Sequence, residues 1–193
     1  MLAGAKLLDR DKTLVKNTLN GDIDSFSLLI GSYQEPLFNF LFRLTSCRED
    51  AEEVLQDVFI RVYNYLYKYD ERWNFSTWIY KIAVNTFKGH YKKKKKHCNN
   101  SSFDILSESI FDSNDTPDKI FETKEKYMDV VHIINNLKGE QKAALFLKYV
   151  HGFSYMEIGK VLKISAENAK LKVFRAKQTV GKEFNSMNGG VAE

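Results

Sequence analysis

The sequence predicts an all-α protein: two small helical domains joined by a flexible linker. Three observations carry this. Proline occurs only at Pro36 and Pro117, and the long alternating Val/Ile/Thr runs that build sheets are absent. Apolar residues instead recur at three- and four-residue steps over several long stretches. Charge is segregated as well. Ser76 to His97 holds seven lysines and no carboxylate, Cys98 to Lys126 holds seven carboxylates against three lysines, and Lys138 to Lys182 holds nine lysines and one arginine against three glutamates. Two basic blocks separated by an acidic one imply two contacts with a polyanion and a connector held off it.

Residues 1–20 read as a weakly amphipathic start. From Asp22 the spacing of Ile23, Phe26, Leu29, Ile30, Tyr33, Leu37, Phe40, Leu41 and Leu44 is helical. Pro36 lies inside this run and is expected to start a new turn or kink it, because proline donates no N–H and crowds the preceding turn. Arg48-Glu-Asp50 opens the next helix, whose buried stripe is Ala51, Val54, Leu55, Val58, Val62 and Leu66; Glu49, Asp50, Glu52 and Glu53 complement the dipole of its first turn. After a loop over 70–75, Ser76 or Thr77 is expected to cap a helix with Trp78 or Ile79, Ile82, Ala83 and Phe87 inward, running out into Lys92 to Lys96. From His97 the chain turns polar, which reads as a linker. Thr116-Pro117-Asp118 is a helix start with proline at the first position. The resulting boundaries are an N-terminal domain over 1–97, a linker over 98–121, a C-terminal domain over 122–185 and a frayed tail over 186–193.

Within the last quarter, Gly152 ends a helix carrying Leu145, Leu147 and Val150. Ser154 and Glu157 then form a capping box, and Ile158, Val161 and Leu162 form the inner face of a short helix, with Gly159 permitting a close approach. Lys163-Ile164-Ser165 is a turn, and Ser165 caps a basic helix whose inner face is Ala169, Val173, Ala176 and Val180. This is the layout of a helix-turn-helix DNA reader. Its outward set is Ser165, Glu167, Asn168, Lys170, Leu171, Lys172, Phe174 and Arg175: the first turn suits base edges, and the cations suit phosphates.

Cys47 and Cys98 are the only cysteines, and they read as free thiols of a reducing cytoplasm. The histidines lack zinc-site spacing, so no metal or other cofactor is expected. No leader or apolar run of spanning length is present, so the protein is expected to be cytoplasmic with no direct membrane insertion. No catalytic residue is expected either. Residues 76–97 hold no Asp or Glu, and the acids over 49–57 fit a helix face better than a metal pocket.

Three segments, Asp50-Ala-Glu-Glu-Val-Leu-Gln-Asp-Val-Phe-Ile-Arg-Val-Tyr63, Phe75-Ser-Thr-Trp-Ile-Tyr-Lys-Ile-Ala-Val-Asn85 and Gly152-Phe-Ser-Tyr-Met-Glu-Ile-Gly-Lys-Val-Leu162, occur in an order and spacing that closely resembles the bacterial RNA polymerase sigma factors of the extracytoplasmic-function group. The resemblance covers about residues 20–97 and 122–183. It implies a transcription initiation factor that directs core polymerase to promoters and melts the minus-ten region. Glu53, Gln56, Asp57 and Phe59 would dock on the clamp helices of the beta-prime subunit, and the C-terminal domain would meet the flap of the beta subunit. Trp73, Asn74, Phe75, Lys81, Asn85, Lys88, Lys92 and Lys93 would meet the minus-ten element, where aromatic faces stack unpaired bases for about 1–3 kcal/mol each. The outward set of the basic helix would meet the minus-thirty-five element. An anti-sigma factor is the implied regulator. A core-independent helix-turn-helix repressor is the alternative, in which the Gln56-Asp57 face would be dispensable.

The chain departs from the family pattern at the turn of the C-terminal motif. Lys163 stands where glycine is usual, so the turn geometry is expected to differ or to carry about 1 kcal/mol of strain. Asn168, Ala169 and Leu171 depart at the start of the recognition helix. Leu171 puts an apolar side chain on the DNA face, suited to a thymine methyl or to a partner protein.

Overall fold

The computed structural model describes residues 2–93 and 117–188, with side chains over 9–92 and 126–188. The expected linker up to residue 116, the lysine side chains at positions 93–96 and the tail from residue 189 lie outside the described residues. The described residues form helices α1 (Leu2–Leu19), α2 (Ile23–Thr45), α3 (Arg48–Tyr65), α4 (Phe75–Lys93), α5 (Pro117–Asn136), α6 (Gly139–Tyr149), α7 (Tyr155–Leu162) and α8 (Ala166–Met187), with a 3₁₀ turn at Leu66–Lys68 after α3. No strand occurs among them.

Each boundary has a local cause. Asp22 caps α2 by accepting from the backbone N–H groups of Asp24 and Ser25. The helix ends at Ser46, in the left-handed region with φ 55°, whose N–H returns to the Phe42 carbonyl. Pro36 does not divide α2: the helix is continuous across it, and the proline removes only the bond to the Ser32 carbonyl. The expected start of α4 also shifts. The helix begins at Phe75 rather than after a Ser76 or Thr77 cap, because Thr77 is buried and its hydroxyl turns to Glu157 Oε1 instead.

Helices α1 to α4 form one layered unit and α5 to α8 another, and the two pack on each other. α4 is the shared wall, with α3 on one side and α7 on the other. Its burial is correspondingly wide: Phe75, Thr77, Ile79, Tyr80, Ala83, Val84, Thr86 and Phe87 are all below a tenth exposed, which is more than one amphipathic stripe. One continuous apolar core therefore runs from Leu29, Phe40 and Val58 through Ile79 and Ala83 to Leu147, Ile158 and Val161. α1 is fastened by Val15 in that core and by Tyr33, whose hydroxyl donates to the Asp11 carboxylate. Cys47, at the start of α3, is buried and disulfide-bonded, which corrects the expectation of a free thiol there; Cys98 lies outside the described residues.

Candidate functional site

The helix-turn-helix is built as its caps dictate. Ser154 Oγ accepts from the Glu157 N–H at 3.3 Å, and Glu157 Oε2 accepts from the Ser154 N–H at 2.9 Å, closing the box on α7. α7 ends at Lys163, left-handed with φ 59° and ψ 46°, and the Ile164 N–H returns to the Gly159 carbonyl at 2.9 Å. The turn thus keeps its geometry with a lysine in it. Gly159 is required by that turn: a Cβ there would sit 2.8 Å from the Ile164 carbonyl oxygen. Ser165 Oγ then accepts from the Asn168 N–H at 3.1 Å and starts α8.

On α8, Ala169, Val173 and Ala176 are sealed inward. Ser165, Glu167, Asn168, Lys170, Leu171, Phe174 and Arg175 are exposed on the other side, and Lys172 is half-buried. Between this face and the start of α6 lies an open cleft of about 550 Å³, lined among others by Asn168, Leu171, Lys172 and Arg175. Glu140 stands in it. Its Oε2 holds Lys172 Nζ at 2.8 Å and its Oε1 holds Lys88 Nζ of α4 at 2.7 Å. These two bonds hold the Glu140 carboxyl down at about 2.

The residues expected at the minus-ten element fall into three situations. Trp73 and Asn74 are half-buried on the loop before α4. Lys160 of α7 lies over the Trp73 ring, 4.4 Å from its centroid, and Asn74 Nδ2 donates to Glu157 Oε1 at 3.0 Å. Phe75 is 1% exposed, packed among Tyr33, Tyr69 and Trp78, so it props the loop from below. Lys81, Asn85 and Lys88 share one half-buried side of α4, Asn85 bonding back to the Lys81 carbonyl, and Lys92 is exposed. The Lys93 side chain lies outside the described residues. Trp78 is half-buried against Tyr69 and Phe75.

The residues expected to dock on polymerase lie together on α3. Glu53, Gln56 and Asp57 are exposed, and Phe59 is half-buried against the core. His90 Nε2 of α4 sits 2.9 Å from Glu53 Oε1. The same outer surface carries exposed Ile60 and Tyr63, with Tyr63 edge-on to Phe26.

Sequence reasoning missed the residues that join the two units. Tyr80 hydroxyl and His151 Nδ1 are 3.0 Å apart, with Phe40 and Phe153 packed around them. His151 Nε2 is buried without a partner, and burial, with Arg43 nearby, pushes the imidazole down to about 4. Lys142 is 3% exposed and donates to Asn135 Oδ1 at 2.7 Å and Ser46 Oγ at 3.3 Å; burial pushes its ammonium down to about 8. Partners so far apart along the chain leave no periodic signal. Among the described residues no cluster of His, Cys, Asp and Glu could hold a metal, and no helix is long and apolar enough to cross a membrane.

Comparison with known proteins places this geometry in a family. The Sigma-70 region 2 pattern matches residues 29–97 and the Sigma-70 region 4 pattern matches residues 127–180. The ECF RNA polymerase sigma-E factor of Haemophilus influenzae is 30% identical over 178 residues, spanning 88% of this chain and 93% of that protein. The RNA polymerase sigma-H factor of Pseudomonas aeruginosa is 26% identical, spanning 93% of this chain and 96% of that one. In fold, the chain is similar to CnrH, solved in complex with the cytosolic domain of CnrY, with a TM-score of 0.68 at 17% identity over 92% of this chain and 99% of CnrH. It is also similar to the sigma factor RpoE of Bartonella quintana, solved with the anti-sigma factor NepR, with a TM-score of 0.66 at 19% identity over 83% of this chain and 96% of that one.

Proposed function

The chain belongs to the extracytoplasmic-function group of RNA polymerase sigma factors, and we infer that its two units divide the work of promoter recognition as follows. The acidic face of α3, with Glu53, Gln56, Asp57 and Phe59, docks on the clamp helices of the beta-prime subunit. Exposed carboxylates beside exposed apolar residues suit a basic, helical partner surface. The α3–α4 loop with Trp73 and Asn74, propped by Phe75, together with Lys81, Asn85, Lys88, Lys92 and Lys93, meets the minus-ten element. Trp73 is half-buried where Phe75 is sealed in the core, so it is the aromatic of that loop on which an unpaired base stacks.

The exposed side of α8 enters the major groove of the minus-thirty-five element. Asn168 and Glu167 in its first turn are within reach of base edges, and Lys170, Lys172 and Arg175 of phosphates. The C-terminal unit also meets the flap of the beta subunit. The chain is a specificity subunit and performs no catalysis of its own. Its regulator is an anti-sigma factor, as CnrH and the Bartonella RpoE are bound in their solved complexes. A core-independent repressor finds no support among the relatives.

The observation that carries this reading is the presence of both sigma regions, in order, in one chain. Run-off transcription tests it: purified core polymerase is given genomic fragments with and without the chain, and starts that depend on the chain are expected. Asp57→Arg should abolish association with core while the fold is kept. Arg175→Ala should weaken upstream binding about evenly across sequences, whereas Asn168→Ala should change base preference. Equal behaviour of those two variants would overturn the groove orientation.

A further inference from the structure

The loop before α4 is held from inside its own unit by a residue outside the DNA-facing set. Tyr69 follows the 3₁₀ turn Leu66–Lys68 in an extended conformation, and its hydroxyl donates to the Trp73 carbonyl at 2.6 Å. The Trp73 N–H donates in turn to the Asp70 carbonyl at 3.0 Å, so the Trp73 backbone is bonded through both its donor and its acceptor. Arg72 Nη2 donates to the Asp70 carboxylate at 2.7 Å, and the Trp78 N–H donates to the Asn74 carbonyl at 3.3 Å, joining the end of the loop to α4. Residues 70–74 are thus a closed turn.

The ring and the hydroxyl of Tyr69 do different things. The ring stands edge-on to Phe75 and Trp78, with centroids 5.4 and 5.7 Å away, and forms the floor of the loop with them. A phenylalanine ring would make the same contacts. The hydroxyl adds a donor aimed at the Trp73 carbonyl. Burial, with the carboxylates of Asp11, Glu71 and Asp70 nearby, pushes the phenol up to about 12, so it keeps the proton it donates. α7 touches the same loop in another way. Lys160 and Glu157 reach the side chains of Trp73 and Asn74, whereas Tyr69 holds backbone, and its bond lies wholly within the α1 to α4 unit.

We propose that Tyr69 is a positioning residue for promoter melting: its hydroxyl fixes the Trp73 backbone so that the indole is preset to stack on the unpaired minus-ten base. The inference rests on the reading of Trp73 as the stacking residue. Stacking on one aromatic ring is comparable in size to the cost of unstacking a base. Little of that gain would survive if five loop residues had to be ordered at the moment of capture. A turn closed beforehand leaves the gain to hold the base. The Tyr69 hydroxyl is turned into the loop, so the residue acts through Trp73 and reads no base itself.

The test compares Tyr69→Phe, Trp73→Ala and the double variant, each assembled with core polymerase on a promoter located by run-off transcription. Two probes are used: the full duplex, with 2-aminopurine in the minus-ten element to report unpairing, and the same fragment with non-complementary strands over that element. Tyr69→Phe should lower the opening equilibrium on the duplex roughly two- to tenfold, the range for one hydrogen bond. Association with core should be unchanged, and at saturating polymerase the fragment already unpaired should be transcribed as the parent transcribes it. A variant that merely folds less well would lose activity evenly on both fragments, and such an even loss overturns the proposal. Parent-like opening of the duplex by Tyr69→Phe overturns it too. The double variant should open the duplex no less than Trp73→Ala alone, because Tyr69 acts through that ring; additive losses would place its effect elsewhere and overturn the assignment. A Trp73→Ala chain that opens the duplex as the parent does removes the stacking reading and the proposal together. A defective Trp73→Ala beside a parent-like Tyr69→Phe removes the proposal alone.

Discussion

Asn74 Nδ2 donates to Glu157 Oε1 at 3.0 Å, so the carboxylate that caps α7 also tethers the loop in front of α4. The two oxygens divide these tasks: Oε2 serves the Ser154 N–H and hydroxyl, and Oε1 serves Asn74 and, at 3.4 Å, the Thr77 hydroxyl. A residue recognisable from its neighbours as a helix cap is thus also a joint between the two units.

This double use predicts a coupling. Ser154→Ala removes only the cap and should cost about 1 kcal/mol. Glu157→Ala removes cap and tether and should cost roughly 2 kcal/mol. A double-mutant cycle of Glu157→Ala with Asn74→Ala, read by urea denaturation, should give an interaction energy of about 0.5–1.5 kcal/mol. A cycle that closes at zero would mean that the Asn74–Glu157 bond contributes nothing in solution.

Lys163 carries strain that glycine would not. At φ 59° its Cβ crowds the backbone, which costs about 1 kcal/mol, and the residue is exposed, so little side-chain packing offsets it. Lys163→Gly gives back part of that gain by loosening the unfolded chain. The net expectation is a gain of roughly 0.5 kcal/mol, seen as a higher denaturation midpoint. A lower midpoint would mean that the lysine stem contributes packing that outweighs its backbone strain.

What could be read from sequence follows the range of the forces involved. The caps Ser154, Glu157 and Ser165 and the stripe Ala169, Val173 and Ala176 act within one or two helical turns, and each stands where local pattern put it. Thr77 misled as a cap because its hydroxyl serves a residue 80 positions away. Pro36 does not end α2, which packs along its length against α1 and α3, and that packing outweighs one lost backbone bond. Phe75 reads as a loop aromatic but lies in the core, since three other aromatic rings surround it. The pairing of Tyr80 with His151, 71 residues apart, depends on two amphipathic units meeting face to face, and the periodicity of either one is silent about it.

Lys142 should make stability rise at high pH. Burial lowers its pKa from 10.5 to about 8 in the folded chain. Below about 8 both states hold the proton and the cost of burial is constant. Between about 8 and 10.5 the unfolded chain holds a proton that the folded chain has released, so unfolding becomes less favourable as pH increases. The cost at neutral pH is on the order of 1–3 kcal/mol. Lys142→Met should therefore stabilise the chain near pH 7 by on the order of 1 kcal/mol and remove the alkaline rise. Ser46 Oγ and Asn135 Oδ1, 3.3 Å apart, can satisfy each other once the ammonium is gone. Destabilisation at pH 7 with the alkaline rise intact would sink this account.

His151 predicts the opposite limb of the profile. Its imidazole is held at about 4, against 6.5 when free, first by burial and then by Arg43. Above 6.5 it is neutral whether the two units are together or apart. As pH falls from 6.5 toward 4, the separated or unfolded chain takes up a proton that the packed chain refuses, so packing weakens across that window and the slope ends below it. The ring is wedged against Phe40, Tyr80 and Phe153, and among the described residues the charge acting on it is that of Arg43, which makes an imidazolium less welcome still. The expected loss between pH 7 and pH 4.5 is on the order of 2 kcal/mol once partial exposure is discounted. His151→Gln keeps an acceptor for the Tyr80 hydroxyl but cannot titrate in this range. Chemical denaturation across pH should therefore show an acid slope in the parent chain that is shallower in the variant by about one proton. Identical slopes in the two chains would assign the acid sensitivity to other groups and leave His151 a packing residue alone.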